Sequence, residues 1–83
     1  SISAALARAQ MGRRIRRLLA ALGLSQTEFA SRYGIPVANL RPYEIGRVMP
    51  PRAVRSFLKV IAAEPERTAA VLARAKRQPT VSG

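Results

Sequence analysis

Residues Leu24 to Arg47, LSQTEFASRYGIPVANLRPYEIGR, leave the backbone few choices. Ser25 stands three residues before Glu28, the spacing of a capping box: the serine hydroxyl takes the Glu28 amide and the glutamate returns to the Ser25 amide. Phe29 and Ala30 supply the inward face of the helix so begun. Gly34 then sits where a chain leaves a helix through the left-handed region, which only glycine enters cheaply. Pro36, its φ already fixed, opens the next helix, and Leu40 and Tyr43 give that helix an inward face at spacing three. Gly46 ends it. The pattern predicts helices over about 26–33 and 37–44, joined by a tight turn.

The flanking segments are also helical in pattern. Met11, Ile15, Leu18, Leu19 and Leu22 recur at helical spacing, with Arg13 and Arg17 opposite and Arg14 and Arg16 on the flanks. Ile2, Leu6 and Ala9 form a stripe nearly opposite the first, so residues 1–10 read as an N-terminal extension, either helical against a partner or frayed. Proline and glycine punctuate the rest. A helix over about 51–63 puts Val54, Phe57, Leu58 and Ile61 on one side. Another opens at Pro65, with Glu64 and Glu66 complementing its positive end, and is expected to bury Val71 and Leu72 and to stop near Lys76. The tail RQPTVSG, 77–83, is expected to be disordered. No segment alternates like a strand. The expectation is an all-α bundle of five helices, with one domain over 11–76.

Composition narrows the function. The 83 residues carry net charge +11, with fifteen basic residues against four glutamates and no aspartate. Without cysteine or histidine, disulfides, zinc fingers and Cys- or His-based catalysis are excluded. The glutamates at 28, 44, 64 and 66 have work as caps, turn partners or helix-start charges and form no acid/base pair, so neither enzyme nor cofactor is expected. A field this basic favours a polyanion, nucleic acid or an anionic membrane surface. A GC-rich genome would account for Arg over Lys, but not for the scarcity of acids. The acid-free, arginine-bearing first 27 residues have a transit-peptide composition. Yet the apolar run LLAALGL is too short for a secretory or spanning segment and flows into the capping box, so it reads as the end of a folded helix in a soluble, cytoplasmic protein. Helix, glycine turn and helix on such a domain is the layout of a helix-turn-helix, whose second helix enters the DNA major groove.

From about Ile15 to Leu72 the chain resembles the bacterial Xre/Cro-type helix-turn-helix repressors. The shared pattern is L-x-Q-x-E-[FL]-A, then G-I, then L-x-x-[WY]-E-x-G. Leu24, Gln26, Glu28, Phe29, Ala30, Gly34, Ile35, Leu40, Tyr43, Glu44 and Gly46 meet it. The continuation, with Leu58, Val60 and Ile61 before Glu64, Pro65 and Glu66, is similar to antitoxins of the HigA and MqsA kind, although the zinc-binding domain of MqsA needs cysteines. The resemblance implies a compact, lambda-repressor-like five-helix domain with the helix-turn-helix at helices two and three. It also implies a homodimeric transcriptional repressor of a palindromic double-stranded DNA operator, acting at the bacterial nucleoid as the autoregulating antitoxin of a toxin partner. A toxin-neutralising interaction module with little DNA role, and a phage-type repressor with no toxin, stay open. Two positions depart from the family. Pro42 falls inside the third helix, where it removes an amide and crowds the Ala38 carbonyl, so a kink or an irregular last turn is expected. Leu19 stands where the family often has an arginine paired with the glutamate of Y-E-x-G, leaving Glu44 to Arg16, to Arg47 or to solvent.

Seven residues are the DNA-contact candidates. Gln26, at the start of the second helix, can bind a phosphate and brace the third, or simply be solvated. Val37 and Ala38 can press on thymine methyls and Arg41 can pair with guanine. Asn39 reads adenine, or else caps or meets a backbone phosphate. Arg47 and Arg52 flank the loop after the third helix, placed for phosphates or the adjacent minor groove. Arg13 and Arg17 read equally as a solvated face. Phe29, Tyr33, Tyr43 and Phe57 are expected in the core rather than as stacking platforms.

Overall fold

Caps and glycine stops delimit five helices in the computed structural model, which describes residues 1–78: α1 (Ile2–Leu22), α2 (Gln26–Tyr33), α3 (Val37–Glu44), α4 (Arg52–Ala63) and α5 (Pro65–Arg77). There is no strand among the described residues. α5 runs through Arg77 with Gln78 as its C-cap, so the expected tail is ordered at its first two residues, and 79–83 lie outside the described residues.

α1 differs most from the pattern-based reading. It is one 21-residue helix that begins at Ile2, its first turn capped by the Ser1 hydroxyl, which accepts from the Ala4 amide at 3.2 Å. Residues 2–10 are therefore helical rather than frayed, and Ile2 and Leu6 are exposed on them. The helix passes through Gly12 because that is where it crosses the end of α3. A Cβ at Gly12 would lie 2.9 Å from the Tyr43 carbonyl oxygen and closer still to that of Glu44. Arg8 and Arg16, one turn to either side, close the contact: Arg8 Nε donates to the Gly46 carbonyl at 3.0 Å and Arg16 Nη1 to that of Glu44. The last carbonyls of a helix lack intrahelical partners and carry its negative end, so two guanidinium groups are suitable partners there.

α3 continues through Pro42. The proline has no amide to give the Ala38 carbonyl, but the next turn still closes: the Ile45 amide donates to the Arg41 carbonyl at 3.2 Å, and the Pro42 carbonyl accepts from the Arg47 amide at 2.9 Å. Pro42 thus sits in the last turn, where the helix is already handing over to the loop.

The buried core draws on the first four helices and the turn, with α5 packed against it: Ile15 and Leu19 from α1, Phe29 and Tyr33 from α2, Ile35 from the turn, Leu40 and Tyr43 from α3, Leu58 and Ile61 from α4. Three of the four aromatics are buried, and Phe57 is partly buried against the core. The Phe29 and Tyr33 rings are tilted, with centroids 4.9 Å apart, a favoured aromatic arrangement. Tyr33 donates its hydroxyl proton to the Pro65 carbonyl at 3.0 Å, tying α2 to the start of α5. Within α5 the inward face is Thr68, Ala69 and Leu72; Val71, expected inside, is 46% exposed. Both faces satisfy helical spacing, and the buried Thr68 hydroxyl is satisfied by donating to the Glu64 carbonyl at 2.6 Å, which makes a polar residue tolerable inside.

Candidate nucleic-acid interface

α2 starts on the capping box read from the sequence: the Glu28 amide reaches the Ser25 hydroxyl at 3.0 Å, and Glu28 Oε1 accepts from the Ser25 amide at 2.8 Å. These bonds to the charged form hold the Glu28 carboxyl below its ordinary value, the backbone amide first, then the hydroxyl, then the charge of Arg32. The cap fixes where α2 begins, and hence where Gln26, its first residue, points. Gly34, at φ 73°, turns the chain, and α3 follows.

Along α3, Leu40 and Tyr43 face the core while Ala38, Asn39 and Arg41 are exposed and Val37 is half-buried. Three candidates therefore share the open side of α3, with Val37 at its edge. Arg47 is exposed in the loop after α3, and Arg52 is exposed as the first residue of α4.

Gln26 joins the two helices. Its Nε2 donates to Glu44 Oε2 at 2.5 Å, and its Oε1 accepts from Arg41 Nε at 3.3 Å. The amide has one orientation that serves both neighbours, because a carboxylate only accepts and a guanidinium only donates. The result is a line from buried Glu44 through half-buried Gln26 to exposed Arg41. Glu44 does not face solvent, and neither Arg16 nor Arg47 takes its carboxylate in this line; Arg16 bonds its backbone carbonyl instead.

Arg8, Gly12 and Arg16, which hold the far end of α3, were not among the sequence candidates. The available signal was their spacing of four, which places a glycine between two arginines on one helix face.

The described residues hold no group of His, Cys, Asp and Glu able to bind a metal, and no helix among them is long and apolar enough to cross a membrane. A family model described as a helix-turn-helix domain matches residues 10–71. No curated protein and no solved structure matches the chain.

Proposed function

The chain belongs to the helix-turn-helix domain family, and on that premise we propose that it is a sequence-specific repressor of double-stranded DNA that uses α3 as its reading helix. The observation that carries this reading is the Glu44–Gln26–Arg41 line. It holds the Nε of an exposed arginine on α3. Such a guanidinium pairs with the O6 and N7 of guanine, Ala38 and Val37 meet thymine methyls, and Asn39 meets adenine or a phosphate. Gln26, with the amides of the first turn of α2, and Arg47 and Arg52 engage phosphates.

The repressor acts as a homodimer on half-sites about one helical turn apart. Support comes from the groove between α4 and α5, where Phe57, Val60, Val71 and Leu72 are flanked by Glu64 and Arg67. Val60 and Val71 are about half exposed, and a two-fold pairing would set Glu64 of each copy against Arg67 of the other. The likeness of Leu58, Val60, Ile61, Glu64, Pro65 and Glu66 to the antitoxin branch supports an autoregulating antitoxin with a toxin as second partner.

Fluorescence anisotropy tests the reading, using DNA from upstream of the protein's own reading frame against scrambled DNA across a salt series. A preference of about a thousandfold is expected, with a salt slope that counts phosphate contacts. Equal, steeply salt-sensitive binding to both DNAs would reduce the arginines to a nonspecific field and overturn the repressor reading.

A further inference from the structure

α1 packs most closely on α3, and α4 on α5, so α1 and α4 meet across a gap. That gap is a cleft of about 280 Å³ whose floor is Met11, Ile15, Leu18 and Leu58. Its rim is cationic: Arg14, Arg55 and Lys59 line it, and no carboxylate does. A second cleft of about 310 Å³ continues from it toward Met49, and the two share Met11, Arg14 and Arg55. Arg55 is half-buried, and its Nη1 is held by the Pro50 carbonyl at 2.6 Å, which fixes the guanidinium at the junction.

We infer that this cleft is a binding site for a small amphipathic monoanion, a carboxylate with an aliphatic tail of about six to eight carbons. The carboxylate lies at the junction, between Arg14 and Arg55 with Lys59 beside them, and the tail runs along Ile15, Leu18 and Leu58. A planar fork of donors suits a carboxylate in particular. Three cations with no acid among them suit neither a cationic nor a neutral amphiphile. At its size the cleft stands at the lower edge of ligand sites, ~300 Å³ and upward, which favours a short chain over a helix inserted by several side chains. A second copy of a chain with charge +11 meets repulsion at this rim. The thioethers of Met11 and Met49 give the floor the adaptability of a surface that accepts varied alkyl chains. None of the α2–α3 candidates lines the cleft, and its occupancy is testable without DNA.

The chain's only two methionines both line these clefts, so methyl-labelled methionine reports on them directly. The full chain is titrated with octanoate, hexanoate, octan-1-ol and octylammonium, and the Met11 and Met49 signals are followed by NMR. Octanoate is expected to shift Met11 saturably at one equivalent and to bind about tenfold more tightly than hexanoate, as two further buried methylenes require. The alcohol and the amine are expected to bind at least about tenfold more weakly than octanoate, the worth of a charge-assisted pair. The double substitution Arg14→Gln, Lys59→Gln replaces two exposed side chains and is expected to cost octanoate about tenfold with an unchanged melting temperature. Octanoate that moves neither methionine, equal binding of alcohol and carboxylate, or full affinity in the double variant overturns the proposal. A Met11 signal that moves with protein concentration alone assigns the cleft to a second copy and overturns it equally.

Discussion

Gln26 Nε2 lies 2.5 Å from Glu44 Oε2, so the first residue of α2 is hydrogen-bonded to the last residue of α3. The bond spans the turn at Gly34 and fixes the angle between the two helices from their outer ends, where packing of Phe29 and Leu40 fixes it from within. It also gives a buried carboxylate a donor and leaves the amide oxygen for Arg41.

Gln26→Ala is therefore expected to act on stability as well as on any ligand. It strips the Glu44 carboxylate of its donor in a largely buried position, a loss of about 1–3 kcal/mol. Adding Glu44→Ala removes the stranded charge, so the double variant should lose less than the sum of the two single losses. Urea denaturation of the four proteins in this cycle measures the coupling. Strict additivity would show that the bond contributes nothing to the fold.

Arg41 and Arg52 should separate by the kind of loss they cause. Arg41 is exposed on α3 and anchored through Gln26, whereas Arg52 is exposed at the start of α4. Arg41→Ala is expected to cost about 1–3 kcal/mol of DNA affinity and to relax preference at one base pair. Arg52→Ala should weaken binding to all sequences alike and lower the salt slope by about one. Competition against a panel of single-base operator variants distinguishes the two, and unchanged affinity and preference in Arg41→Ala would remove α3 from the reading role.

Elements whose limits are set locally were legible in the chain. Ser25 with Glu28, Gly34 and Pro36 marked α2 and α3 because a cap or a left-handed turn is written in neighbouring residues. The path of α1 was not legible, since Gly12 has a purpose only when the end of α3 lies against it. The partner of Glu44 escaped for the same reason: Gln26 is 18 residues away and comes within reach only once the turn is made. On α5, periodicity allowed Val71 inward, and nothing in neighbouring residues showed that Thr68, its hydroxyl satisfied by the Glu64 carbonyl, lies inside instead. The cleft between α1 and α4 left no trace in the sequence, because it arises from two helices that do not pack closely.

Acid should weaken the start of α2. The Glu28 carboxyl is held below its ordinary value of 4.5 by the Ser25 amide and hydroxyl, so the unfolded chain takes up the proton at higher pH than the folded one. The stabilisation is complete above about pH 4.5 and is lost as pH falls through the lower folded value. Glu28→Gln keeps an acceptor for the Ser25 amide but no titrating group. The wild type should be the more stable of the two at neutral pH, with the gap closing as pH falls below the ordinary carboxyl value of 4.5. Melting temperatures across this range check it, and a gap that persists into acid would separate the capping bond from the charge.

Gly12→Ala tests the crossing of α1 and α3, and here helix propensity and packing predict opposite signs. Glycine inside a helix is worse than alanine by about 1 kcal/mol, so the substitution should stabilise α1 if it were an isolated helix. In the fold, the new methyl meets the carbonyls of Tyr43 and Glu44, both backbone atoms that cannot turn aside as a side chain would. Overpacking of this kind costs about 1–3 kcal/mol, and forcing α1 outward would also lengthen the Arg8 and Arg16 bonds to the end of α3. The net effect should be a fall in melting temperature of several degrees, at about 4–8 °C per kcal/mol for a domain of this size. Arg16→Ala, which removes a tether without adding bulk, should lower stability in the same direction by about 1 kcal/mol. A Gly12→Ala protein that melts higher than the wild type would mean that propensity outweighs the crossing, and that α1 and α3 lie farther apart than the contact between Gly12 and Glu44 requires.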